Sequence, residues 1–405
     1  MPCVAGDIQV SLKRYGLGCH LVRAAGLLLV MTCLVAAGCW PCQLAASEQI
    51  TLKRDGKSRG LKGDVVLEAQ DGGLLFLSRD GTLWIIQPEE LSSRKKLDVQ
   101  VDPMSQGEMA AQLLKEMPAD FKIHKTAHFV ICYNTTKAYA QWCGALYERL
   151  YRAFYGYWKT AGMTLHQPRH PLVALVFEDR QSYLEYSRRE LGTAATAAIG
   201  YYNMRTNRTI AYDLTGVEGI NGGGQRTSSA AHINRILSQP AGERTVATVV
   251  HEATHQLAYN SGLQKRYTDN PFWVSEGMAI FFETPDLKST KGWRTLGGVN
   301  RVNLFNFRKY LARRPEDSLQ TLVSQDQRFQ DPKLAADAYA EAWALNYFLL
   351  RTRKEQYVEY LRKLVIQAEL TPANEERRMV DFKAVFGEDL EALEAEFIRY
   401  IRRIR

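Results

Sequence analysis

Short apolar segments broken by turn residues fill the chain from Ile50 to about Leu91. The runs DVVLEA, LLFLS and TLWIIQP have the length of strands, and the turn sequences QDGG at 70–73 and RDG at 79–81 separate them. An Asp-Gly pair between apolar runs is a strong hairpin signal. The pattern predicts a small antiparallel β module over residues 48–100, with no evident catalytic group of its own.

Strand and helix patterns alternate in the next part of the chain. The segments FKIHKTAHFVICYN, LVALVFED, AIGYYNM and RTIAYDL are typical of strands, the last two as a hairpin. An amphipathic helix from Ala138 to Thr160 and a helix from near Arg180 lie between them, and the chain beyond His232 is almost entirely helical. This order favours an α+β fold over residues 110–405, with a cleft between a mixed-sheet lobe and a helical lobe.

The first 47 residues have a separate pattern. Basic residues precede an uncharged apolar run from Ala24 to Cys39, as in a bacterial export signal. An extracytoplasmic protein is therefore expected: periplasmic, membrane-anchored or secreted. The sequence AAGC ending at Cys39 also resembles a lipobox, in which this cysteine would carry lipid. Cleavage near Ala37 or Ala46 and an uncleaved membrane anchor are the alternatives.

Composition supports a globular protein with a substantial core. The chain has 405 residues, of which 46% are hydrophobic. Lys and Arg exceed Asp and Glu by 52 to 44, for a net charge of +8, and no block of five like charges occurs. Nucleic acid is therefore not expected as a partner.

Cysteine usage divides the chain in the same way. Five of the seven cysteines lie in the leader, which leaves Cys132 and Cys143 for the body. A disulfide bridge between them and a pair of buried thiols are both open. Neither belongs to a Cys-x-x-Cys pair, so zinc held by cysteine is not predicted.

The candidate chemistry lies in TVVHEATHQLA at 248–258. On a helix, His251 and His255 lie one turn apart on the same face, where two imidazoles can bind one cation. Glu252 lies about 100° around the helix, where it can reach a water beside the ion. An apolar stripe on the same helix is predicted to anchor it in the core. The stripe consists of Val246, Val250, Ala253 and Leu257.

A catalytic zinc site requires a third protein ligand. The next helix pattern, PFWVSEGMAIFFE, supplies Glu276 after 20 intervening residues. The ligand set His251, His255 and Glu276 would leave a fourth position for water on Zn²⁺. Glu283, about two helical turns further on, is expected to orient one of the histidines through its second ring nitrogen.

These motifs resemble those of the gluzincins, HExxH zinc peptidases with a downstream glutamate ligand. The region from about 110 to 405 also looks like a bacterial, secreted, zincin-like family of unassigned function, of the peptidase MA-like type. The resemblance implies zinc-dependent hydrolysis of peptide bonds with Glu252 as general base. It also implies an oxyanion-stabilising group on the helical lobe, for which Tyr339 is the candidate, 339 − 276 = 63 residues after the ligand.

The sequence departs from the aminopeptidase members of that class. They carry Asn before the glutamate ligand, where this chain has Ser275, and a Gly-x-Met-Glu-Asn signature where this chain has GYYNM at 200–204. No carboxylate is present there to bind a substrate amine, so an endopeptidase is expected. Its partner is a peptide or protein substrate, held by main-chain pairing with an edge strand. The sequence gives no oligomeric state.

A second hypothesis is a catalytically inactive zincin-like protein that acts as a binding or envelope-scaffold module. A structural zinc site normally has four protein ligands and no use for a free carboxylate beside the ion. Three ligands and the presence of Glu252 therefore favour the hydrolase. His124 and His128 are predicted to be ordinary, hydrogen-bonded histidines.

Overall fold

The computed structural model describes most of the chain from residue 47 onward. The described residues are 47–216, 233, 235, 240–284, 297–366 and 374–405. The predicted export signal with Cys39 lies outside these ranges. Three consecutive glycines at 222–224 and His232 also lie outside them. The described chain forms two compact units. The smaller contains 47–79 and 84–102, and the larger contains 80–83 and the described residues from 103 onward.

The small unit is built on a five-stranded antiparallel sheet, as the short apolar runs and turn sequences predicted. Its strands are β1 Glu48–Arg54, β2 Lys57–Glu68, β3 Leu74–Ser78, β4 Leu83–Ile86 and β5 Leu91–Lys96, in the order β4-β3-β2-β1-β5. Asp55 and Gly56 join β1 to β2 with positive φ angles of 52° and 73°, which is the two-residue hairpin turn that Asp-Gly favours. Its core consists of Ile50, Leu52, Leu74, Phe76, Trp84 and Ile86.

The large unit contains a mixed sheet in the order β6-β7-β8-β10-β9. Its strands are β6 Lys122–Lys125, β7 Phe129–Tyr133, β8 Leu172–Phe177, β9 Gly200–Asn203 and β10 Arg208–Tyr212. The three central strands, β7, β8 and β10, are parallel and fully buried, and β7 and β8 are continuous apolar runs of the kind that buried parallel strands have. The predicted hairpin is present, and β9 forms one edge of the sheet.

Helices surround this sheet and then form a C-terminal helical lobe, so the α+β fold class is confirmed. The helices before the site are α1 Gln106–Glu116, α2 Lys137–Thr160 and α3 Arg180–Leu191. The site helices are α4 Pro240–Asn260 and α5 Phe272–Phe282. The later helices are α6 Arg301–Tyr310, α7 Ser318–Ser324, α8 Gln327–Gln330, α9 Ala335–Thr352, α10 Lys354–Ile366, α11 Glu375–Phe386 and α12 Leu390–Arg403. Within the described ranges, no helix combines the length and apolar character needed to cross a bilayer.

The two cysteines of the body are buried free thiols on β7 and α2. The disulfide alternative for Cys132 and Cys143 is therefore wrong. Burial raises the pKa of the Cys132 thiol to about 12. Both residues act as small apolar side chains in the core.

Close packing against α9 fixes the position of α5, the helix that carries Glu276. Gly277 faces α9 so closely that a Cβ atom there would overlap the Asn346 amide and the Ala342 carbonyl oxygen. The same amide donates hydrogen bonds to the carbonyl oxygens of Trp273, at 2.7 Å, and Ala342, at 2.8 Å. Glycine is required at this position because the two backbones approach so closely.

The Gly277→Ala variant is expected to lose about 1–3 kcal/mol of unfolding free energy, because the added methyl group must displace a buried hydrogen-bonded amide. The matched control is Gly156→Ala on α2, where a Cβ atom meets nothing within 4 Å. That control should be neutral or gain about 0.5–1 kcal/mol. Urea unfolding measures both, and equal stability of the two variants would contradict the packing account.

Candidate metal centre

The helix α4 carries the first two candidate ligands on its buried side. The predicted apolar stripe of Val246, Val250, Ala253 and Leu257 is completely buried. It packs α4 against its neighbours, among them β9, β10 and α2. His251 and His255 therefore point away from solvent, with exposed fractions of only 7% and 6%. Their Nε2 atoms lie 3.2 Å apart.

Glu276 on α5 completes the group. Its Oε2 atom lies 3.1 Å from His251 Nε2, and its Oε1 atom lies 3.5 Å from His255 Nε2. The three ligand atoms fall within 4.8 Å of one another, so the group can hold a metal ion. Tetrahedral ligands at 2.0–2.1 Å from zinc are themselves separated by about 3.3 Å. The separations from 3.1 to 3.5 Å fit such an ion.

The electrostatics of the group also suit a cation. The Glu276 carboxylate has an exposed fraction of 2%. Burial acts to raise its pKa, but the imidazoles of His255 and His251 outweigh burial and hold the pKa at about 2. The carboxylate is therefore ionised at neutral pH, facing two imidazole nitrogens in a nearly dry environment.

Glu252 directly follows His251 on α4 and is not a member of the three-ligand group. The side chain is buried, and its Oε2 atom accepts a hydrogen bond of 2.9 Å from the backbone N–H of Tyr202 on the edge strand β9. The general-base candidate is thus held by the main chain of the sheet. The sequence pattern alone did not indicate Tyr202, because almost any residue type can supply a backbone N–H donor.

Glu283 directly follows α5 and contacts the first histidine. Its Oε2 atom lies 3.1 Å from His251 Nδ1. This contact favours the proton on Nδ1 and directs the lone pair of Nε2 toward His255 and Glu276. Metal-binding histidines usually have such an acceptor on the second ring nitrogen.

The start of α5 is fixed by two buried charged residues from the helical lobe. Pro271 offers no capping side chain, and Asp326 Oδ1 instead accepts the Phe272 N–H at 3.0 Å. Arg378 donates to Asp326 Oδ2 at 2.8 Å and to Asp269 Oδ1 at 2.6 Å. Sequence reasoning missed both, since Asp326 lies 54 residues after the Phe272 whose N–H it accepts and Arg378 lies still further along the chain.

Tyr339 lies on α9 in an aromatic contact. Its ring packs edge-on against Phe329, with ring centres 5.3 Å apart, and Phe329 packs edge-on against Phe272 at the start of α5. Phe329 thus links the ring of Tyr339 to the start of the helix that carries the third ligand. Its oxyanion role remains a prediction.

The two histidines near the sheet differ in their surroundings. His128 Nδ1 lies 2.9 Å from Glu148 Oε2, and its ring stacks on Tyr151, which confirms an ordinary hydrogen-bonded histidine. His124 is on β6, and its pKa is lowered by burial and by the charge of Lys137.

Comparison with known proteins places the site in a recognised segment. Residues 245–371 match a family described as "Protein of unknown function (DUF1570)". The matched segment contains His251, Glu252, His255, Glu276, Glu283 and Tyr339. None of the curated proteins matches the chain.

Zn²⁺ added to chelator-stripped protein is expected to raise the midpoint temperature of thermal unfolding. At a free Zn²⁺ concentration 100 times the dissociation constant, the gain in unfolding free energy is about 2.7 kcal/mol. The His255→Ala variant should show no such shift because it lacks one of three ligands. The control is His128→Gln, which removes a histidine outside the group. An equal shift in all three proteins would contradict a metal centre at this position.

Proposed function

We propose that this protein is a zinc-dependent peptidase, an endopeptidase that acts outside the cytoplasm. The observation that carries the proposal is the position of Glu252. This buried carboxylate directly follows the ligand His251 on α4, is not one of the three ligands, and accepts the Tyr202 N–H at 2.9 Å. A site with only a structural purpose has no need of such a group.

The three-donor group supports zinc as the ion. Imidazole nitrogen and carboxylate oxygen are common zinc ligands, and three protein ligands leave room for reactants. His251, His255 and Glu276 would hold the ion. When bound, Zn²⁺ would act as a Lewis acid that lowers the pKa of its bound water toward neutrality and polarises the scissile carbonyl.

The protein's own residues would manage the proton. Glu252 accepts a proton at a carboxylate oxygen from the attacking water and donates it to the nitrogen of the leaving amine. The Tyr202 N–H keeps that carboxylate in one orientation during both transfers. Tyr339 is proposed to donate a hydrogen bond to the developing oxyanion.

The edge strand β9 supports an extended peptide as substrate. An edge strand can pair with the main chain of a peptide, which gives affinity without a strict side-chain requirement. The residues from Gly200 to Asn203 include no carboxylate to bind a substrate amino terminus, which supports cleavage within chains. The extracytoplasmic location, with attachment through the N-terminal segment or a lipidated Cys39, rests on the leader sequence.

The Glu252→Gln variant is expected to lose roughly 10²- to 10⁴-fold in peptide cleavage, because an amide cannot accept the proton. It should bind zinc with wild-type stoichiometry, since no ligand is removed. The assay is digestion of a broad peptide library with mass-spectrometric readout, with and without a chelator. The control is Glu185→Gln on α3, which should retain wild-type activity.

Unchanged cleavage by Glu252→Gln would contradict the general-base assignment. Zinc binding by the wild type without cleavage of any library peptide would instead support the inactive binding or scaffold protein.

A further inference from the structure

We infer that Asn300 is a positioning residue for the metal centre, acting on His251 through Glu283. The inference rests on the proposed metal site and extends it by one residue. Asn300 lies 17 residues after Glu283 and directly before α6. It brings the first turn of a separate helix into contact with the site.

Two contacts link Asn300 to His251 through Glu283. Asn300 Nδ2 donates to Glu283 Oε1 at 2.8 Å, and the other oxygen of the same carboxylate lies 3.1 Å from His251 Nδ1. Asn300 Oδ1 accepts the backbone N–H of Asn303 at 3.0 Å and so caps α6. The asparagine has an exposed fraction of 7%.

The bond from Asn300 to Glu283 constrains the contact that Glu283 makes with His251. The Glu283 side chain is only partly buried, with 16% of its surface exposed, so it can turn toward water unless both oxygens are held. The Asn300 amide holds one oxygen, which leaves the second in place for the imidazole. A fixed acceptor at Nδ1 keeps His251 Nε2 directed at its two fellow ligands.

Asparagine is the capping residue suited to both contacts. Its side-chain oxygen accepts a helix N–H while its NH₂ group donates elsewhere. Aspartate caps equally well but has no donor, and serine caps well but is shorter. Substitution by either residue therefore keeps the helix cap and removes the bond to Glu283.

The test is a double-mutant cycle on zinc affinity, measured by competition with a chromophoric chelator. Asn300→Ser is expected to weaken zinc binding by roughly 10-fold, as loss of an outer support typically does. In a Glu283→Ala background, the same substitution should have no further effect, because the residue through which it acts is absent. The absorption spectrum of the Co²⁺-loaded protein should also change in Asn300→Ser.

The matched control is Asn374→Ser, which alters the cap of α11, where Asn374 Oδ1 accepts the Arg377 N–H at 2.8 Å. That variant should bind zinc like the wild type, and urea unfolding without metal checks that both serine variants are folded. If Asn300→Ser does not fold, Asn300→Asp repeats the test with a side chain of the same shape.

The positioning role of Asn300 would be overturned if Asn300→Ser bound zinc with wild-type affinity, or if its loss of affinity simply added to that of Glu283→Ala. Neither result would contradict the metal site itself. Absence of zinc binding by the wild type would overturn the proposed function itself.

Discussion

The buried carboxylate of Glu276 is the constraint on which the arrangement of this protein depends. It is ionised, almost completely withdrawn from water, and faced by two imidazole nitrogens from a different helix. Removing one partner of a buried charge typically costs about 3–5 kcal/mol. Such a carboxylate is stable only with positive charge beside it, which protonated histidines or a divalent cation can supply.

The surrounding fold holds the two ligand helices at the required separation. The stripe of α4 is buried in the core, and Gly277 lets α5 approach α9 closely. Arg378 and Asp326 fix the start of α5, while Glu283 follows its end. The third ligand therefore lies on a helix restrained at both ends, which is the preorganisation that a metal centre requires.

The parts of the site set by local geometry could be predicted from the sequence. His251 and His255 follow from helix periodicity, and Glu276 and Glu283 from the ligand and acceptor that such a pair needs. The mixed sheet and the small antiparallel unit followed from apolar runs and Asp-Gly turns. The contacts of Arg378 and Asn300 depend on how distant helices pack, and no local pattern encodes that packing. The open question of Cys132 and Cys143 was likewise decided by tertiary position.

The central claim is that three side chains from α4 and α5 converge on one divalent ion. The most direct measurement is X-ray diffraction from zinc-loaded crystals on either side of the zinc absorption edge. The account predicts one anomalous peak about 2.0–2.1 Å from His251 Nε2, His255 Nε2 and a Glu276 carboxylate oxygen. A zinc-loaded protein with no peak there, or with Glu276 turned away from both imidazoles, would contradict it.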